Sequence, residues 1–92
     1  MIASDARPTR NPRIAARVVD GKVLIVVIDK KQLHTLNAVG TRIWELCDGR
    51  SVAAIADALV TEFEVDVATA MRDVQRFVAE LGALGALETG VA

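Results

Sequence analysis

The run Val23-Leu24-Ile25-Val26-Val27-Ile28 constrains the chain more than any other stretch. Five of its six residues are β-branched, which fits the pleated surface of a strand better than a helix. Apolar side chains on both faces suit a central strand with a neighbour on either side. Both neighbours can be read from the flanking residues. Asp20-Gly21 tolerates the positive φ angles of a type I′ turn, and residues 13–19 before it are rich in Ile, Val and Ala; together they signal a hairpin. After the run, Asp29-Lys30-Lys31 forms a polar turn and Gln32 to Leu36 alternates as a third, shorter strand. The pattern predicts an antiparallel three-stranded meander with its third strand at an edge. A sheet this small is marginal alone and needs helices over one face.

The hydrophobic period changes after Leu36-Asn37. Asn37 is a good N-cap for a helix from Ala38 to about Cys47, ended by Asp48-Gly49. Ser51 caps a second helix, in which Ile55, Leu59 and Phe63 recur on one face. Asp66 caps a third, whose apolar stripe is Val67, Ala70, Met71, Val74, Phe77, Val78 and Leu81. Gly82 and Gly85 loosen its end. The expected fold class is α+β and winged-helix-like: a three-stranded antiparallel sheet followed by three helices. The expected domain covers residues 13–88, with 1–12 as a flexible N-terminal arm and 89–92 as a frayed tail.

Composition narrows the function. A chain of 92 residues is one domain, and aromatics at 3% leave the core to aliphatic side chains. One cysteine excludes an internal disulfide. With no apolar h-region among residues 1–13, that points to a cytoplasmic protein. The longest apolar run is too short to cross a bilayer, so no membrane partner is expected. Net charge is −1 but unevenly spread: residues 1–42 hold eight Lys and Arg against three Asp, and residues 43–92 hold three Arg against nine acids.

Catalytic and metal chemistry find little support. His34, Cys47 and Asp48 are too few and too scattered for a structural zinc site. Cys47 with His34 lacks a third, orienting group. No glycine-rich phosphate loop is present, and Glu62, Glu64 and Asp66 fall at a helix end, where solvated charge is normal. The reading is a protein that is not an enzyme and takes no metal or cofactor. The alternative is a small winged-helix DNA-binding regulator. It suffers from a third helix where Asp73 and Glu80 offset Arg72 and Arg76, and from an acidic second helix. No nucleic-acid partner is expected. An edge strand at Gln32 to Leu36 is either a docking site for an incoming strand or an edge that Lys30 and Lys31 protect. Composition leaves both open.

The stretch "LNAVGTRIWELCDGRSVAAIADAL", followed by "DVQRFVAELGALGAL", resembles the pyrroloquinoline-quinone biosynthesis protein D (PqqD) family over roughly residues 12 to 88. The matching features are Leu36, Asn37, Gly40, Ile43, Trp44, Asp48, Gly49, Asp73 and Val74. The resemblance implies a RiPP recognition element, which is a peptide chaperone for the leader of a ribosomally made precursor peptide. It implies that the leader adds as a strand to the third strand, beside the third helix, and is presented to a modifying enzyme such as a radical S-adenosylmethionine protein or a peptidase. The peptide-binding residues so implied are Gln32, Leu33, His34, Thr35 and Leu36, with Met71, Gln75 and Val78 from one flank of the third helix. Phe77 and Leu84 lie on the opposite flank. An exposed edge can also pair with its own copy, giving a homodimer. The charge balance of the helices predicts no detectable binding to random duplex DNA at moderate salt. Tight, salt-sensitive binding in a gel-shift titration would restore the DNA-binding alternative.

Overall fold

The computed structural model describes residues 2–90. Strands β2 (Ala15–Val19), β3 (Lys22–Val27) and β4 (Gln32–Thr35) form an antiparallel sheet in the order β2-β3-β4. The apolar run is its central strand, as the sequence requires. Asp20 and Gly21 take φ angles of 53° and 78°, the left-handed geometry of a two-residue hairpin. Three helices follow: α1 (Ala38–Leu46), α2 (Val52–Phe63) and α3 (Val67–Ala83).

Each helix starts on the cap residue read from the sequence. Asn37, Ser51 and Asp66 accept from the backbone N–H groups of Gly40, Ala54 and Thr69. The bond to Thr69 holds the Asp66 carboxyl below its usual range. The helices cover one face of the sheet. Val23, Ile25 and Val27 of β3 are buried with Ile43 and Trp44 of α1, Ile55 and Leu59 of α2, and Val74 and Val78 of α3.

One hydroxyl joins sheet to helices. Leu36 N–H donates to Val23 C=O at 2.8 Å, continuing the β3–β4 ladder by one residue. The return bond is replaced: Val23 N–H donates to Thr41 Oγ1 at 3.0 Å, and that hydroxyl donates to Leu36 C=O at 3.4 Å. Thr41, on the first turn of α1, therefore takes a place within the ladder. It is the one buried polar side chain of the described residues.

The ends of the chain correct an expectation. Residues 7–10 belong to no flexible arm, and residues 89 and 90 to no frayed tail. Strand β1 (Arg7–Arg10) pairs antiparallel with β5 (Leu87–Gly90) in a separate two-stranded ribbon. The rest of the expected tail, residues 91 and 92, lies outside the described residues. The N-terminal segment supplies partners for two helix ends. Val52 N–H and Ala53 N–H, the first two amides of α2, donate to Ala6 C=O and Ser4 C=O at 2.9 and 3.0 Å. The Arg10 guanidinium donates to Trp44 C=O and Glu45 C=O at 3.0 and 2.8 Å, near the end of α1. Pro8, Ala86 and Leu87 are buried beneath these contacts.

Thr41→Val keeps the shape of the side chain but leaves Val23 N–H buried without an acceptor. It should cost about 1–3 kcal/mol of stability in urea unfolding, whereas Thr41→Ser should recover most of the loss. Equal stability of the valine variant and the native chain would contradict the bridging role.

Candidate functional site

In an antiparallel ladder, successive residues of a strand point their backbone groups to opposite sides. The Leu36–Val23 bond fixes the phase. Gln32 and His34, in register with Val27 and Ile25, turn their N–H and C=O groups inward to β3. Leu33 and Thr35 turn theirs outward, where no strand lies, because β4 is the edge of the sheet. The free edge is therefore two residues wide in donors and acceptors, narrower than the expected span of Gln32 to Leu36. Side chains follow the same parity. Gln32, His34 and Leu36 share the face of Val27, Ile25 and Val23 that turns to the helices, while Leu33, 67% exposed, stands on the open face.

Below this edge runs a groove bounded by α3. One hollow of about 660 Å³ lies between Leu33 to Leu36 and Phe77 and Leu81 of α3, with Leu84 just past its end. A second, of about 330 Å³, lies between Asn37, Gly40, Asp73, Arg76 and Phe77. Phe77 borders both, together with Thr35, Leu36 and Glu80, so its ring stands where the two hollows meet. The ring packs close against α1 at Gly40. A Cβ on Gly40 would stand 3.4 Å from Phe77 Cε2 and from Leu36 Cβ, and 3.3 Å from Asn37 Oδ1. Gly40 thus lets the aromatic ring lie against α1 beside the end of β4.

The flank of α3 taken from the sequence is the wrong one for this groove. Met71, Gln75 and Val78 border neither hollow. Val78 is fully buried, Met71 is half-buried against the core, and Gln75 Nε2 donates to Ile2 C=O at 2.9 Å. That flank instead holds the N-terminal segment, and the opposite one, with Phe77 and Leu84, faces β4. Both flanks are apolar, so helical periodicity cannot separate them. Gly40, Asp73, Arg76 and Glu80 were missed as groove residues. In the sequence, Asp73, Arg76 and Glu80 read as the balanced charge of the third helix and Gly40 as a place for close packing of the first helix; that the neighbour is Phe77 is not legible there.

The reactive side chains do not assemble into a catalytic site. Burial pushes the Cys47 thiol up to about 12, so it is protonated and a poor nucleophile at neutral pH. His34 Nε2 lies 3.2 Å from Gln32 Oε1, on the groove side of β4. Arg50 forks onto Asp48 at 2.9 and 2.8 Å and holds its carboxyl down to about 2. Among the described residues, no group of three or more His, Cys, Asp and Glu side chains is placed to hold a metal, and no helix is long and apolar enough to cross a membrane.

What the arrangement offers is an unpaired strand edge above a groove. No curated protein sequence matches the chain. Two solved structures similar to it hold a peptide. TbiB1 in complex with the TbiA(beta) leader peptide superposes with a TM-score of 0.77 at 30% identity, over 91% of this chain and 98% of that one. Lasso peptide synthetase B1 complexed with the leader peptide gives 0.77 at 27% identity, over 90% and 99%. The PqqD truncation of Methylobacterium extorquens PqqCD, a stand-alone RiPP recognition element, shares the fold with a TM-score of 0.72 at 24% identity, over 92% and 90%. The sequence pattern of the family "Coenzyme PQQ synthesis protein D (PqqD)" matches residues 23–87. The chain belongs to the PqqD family.

Proposed function

We propose that this chain is a RiPP recognition element: it captures the leader of a ribosomally made precursor peptide as a fourth strand on β4 and presents it to a modifying enzyme. The carrying observation is the free edge of β4 directly above the groove that Phe77 borders. Leu33 and Thr35 together supply two donors and two acceptors. Each bond contributes about 0.5–1.5 kcal/mol net, whatever the leader's sequence. Selectivity comes from alternate leader side chains, which point down into the groove beside His34 and Leu36.

The chain acts as a carrier and not as an enzyme. Its one thiol is buried and protonated, so chemistry on the precursor falls to a partner. That partner is a modifying enzyme such as a radical S-adenosylmethionine protein or a peptidase. A homodimer through β4 would occupy the same edge, so leader and second copy compete.

Isothermal titration with the synthetic leader of a candidate precursor peptide tests the proposal. Phe77→Ala should weaken binding about tenfold or more, as removal of a central aromatic anchor does. Leu33→Pro removes a donor from the free edge and none from the β3 ladder; it should fold and bind several-fold more weakly. No binding by the native chain, or equal binding by both variants, would contradict the proposal.

A further inference from the structure

The groove carries charge that strand addition does not use. Glu80 borders both hollows, and among the described residues it makes no ion pair. Asp73 differs: Arg76 neutralises it at 3.3 Å. Past the other end of the apolar hollow lies a third, of about 370 Å³, bordered by Arg13, Asp29, Lys30 and Leu84. Lys30 has no ion-pair partner among the described residues, and Lys31 adjoins it in the turn before β4. Leu84 borders this hollow and the apolar one alike. Glu80 thus stands where the first two hollows meet, beside Thr35 and Leu36, while Lys30 and Lys31 stand past the other end of β4, in the turn before Gln32.

The two ends are far enough apart to be read separately. Glu80 stands by Thr35 and Leu36, and the cations Lys30 and Lys31 stand in the turn before Gln32. At about 3.4 Å per residue the separation is roughly 14–20 Å of strand, beyond the screening length of about 8 Å at physiological salt. A peptide lying along β4 therefore meets two distinct fields of opposite sign.

We propose that the groove selects a polarised leader, with a Lys or Arg at Glu80, an apolar side chain beside Leu84, and an Asp or Glu at the Lys30–Lys31 end. This rests on strand addition to β4. Antiparallel pairing is the more stable per residue, and an antiparallel leader passes Thr35 before Lys31. The basic residue therefore precedes the acidic one by about four to six positions. Charge order sets the direction and register of a strand whose backbone bonds alone are indifferent to both.

Panning a displayed library of random dodecapeptides against the full chain tests this without knowledge of the natural leader. Enriched peptides, synthesised and titrated into isotope-labelled protein, should shift the Leu33 and Thr35 amides and carry a base, an apolar residue and an acid in that order. Glu80→Gln should weaken them about 3- to 5-fold and Glu80→Lys about tenfold. Replacing the peptide's base by Glu should restore binding to Glu80→Lys. Peptides that shift the β4 amides without this charge order, or that bind Glu80→Lys as tightly as the native chain, would overturn the polarity and leave strand addition standing. If no enriched peptide shifts the β4 amides, strand addition falls and the polarity with it.

Discussion

The Thr41 hydroxyl sits where the sheet becomes helix, and the rest of the site depends on it. It accepts from Val23 N–H and donates to Leu36 C=O, standing in for the ladder bond that Leu36 would otherwise close. The chain can therefore leave β4 at Leu36, turn at Asn37 and enter α1 with no buried amide left unpaired. Asn37 Oδ1 accepts from Gly40 N–H at 2.7 Å, which fixes the first turn of the same helix. These bonds set α1 against the end of β4. Phe77 of α3 then packs close against Gly40. An edge, a floor and a ring where the hollows meet follow from a few residues around one joint.

That joint also explains why a stretch dense in polar and reactive side chains performs no chemistry. Asn37, Thr41 and Asp48 are engaged with backbone or with Arg50. Cys47 and Trp44 are core. The side chains that border the groove are mostly plain ones: Leu36, Phe77, Leu81 and Leu84. Recognition by strand addition needs little more, since backbone supplies the bonds and the pockets only have to discriminate among leaders.

The meander, the three helices and their caps were legible because each rests on local signals: β-branching in Val23 to Ile28, positive φ at Asp20-Gly21, and a cap residue before each apolar stripe. The ribbon of β1 and β5 was not. Its strands lie about eighty residues apart, and Arg7 to Arg10 carries no periodicity; the N-terminal segment bonds instead to helix-end amides and carbonyls at Val52, Ala53, Trp44 and Glu45. The flank of α3 was misread for a related reason. Met71 and Phe77 are equally apolar, and only the N-terminal segment, held by Gln75 through Ile2 C=O, decides which side is already covered. Local chemistry specified the elements, and non-local hydrogen bonding decided which surface stayed open.

The central claim is that β4 offers the backbone of Leu33 and Thr35 to an incoming strand, while Gln32 and His34 are committed to β3. Amide hydrogen exchange resolved by residue tests it directly. In the free protein the Leu33 and Thr35 amides should exchange fast and those of Gln32 and His34 slowly. With bound leader, the first pair should become protected and the second should change little. Protection that leaves Leu33 and Thr35 unaltered, or that appears instead along β2, would contradict the account.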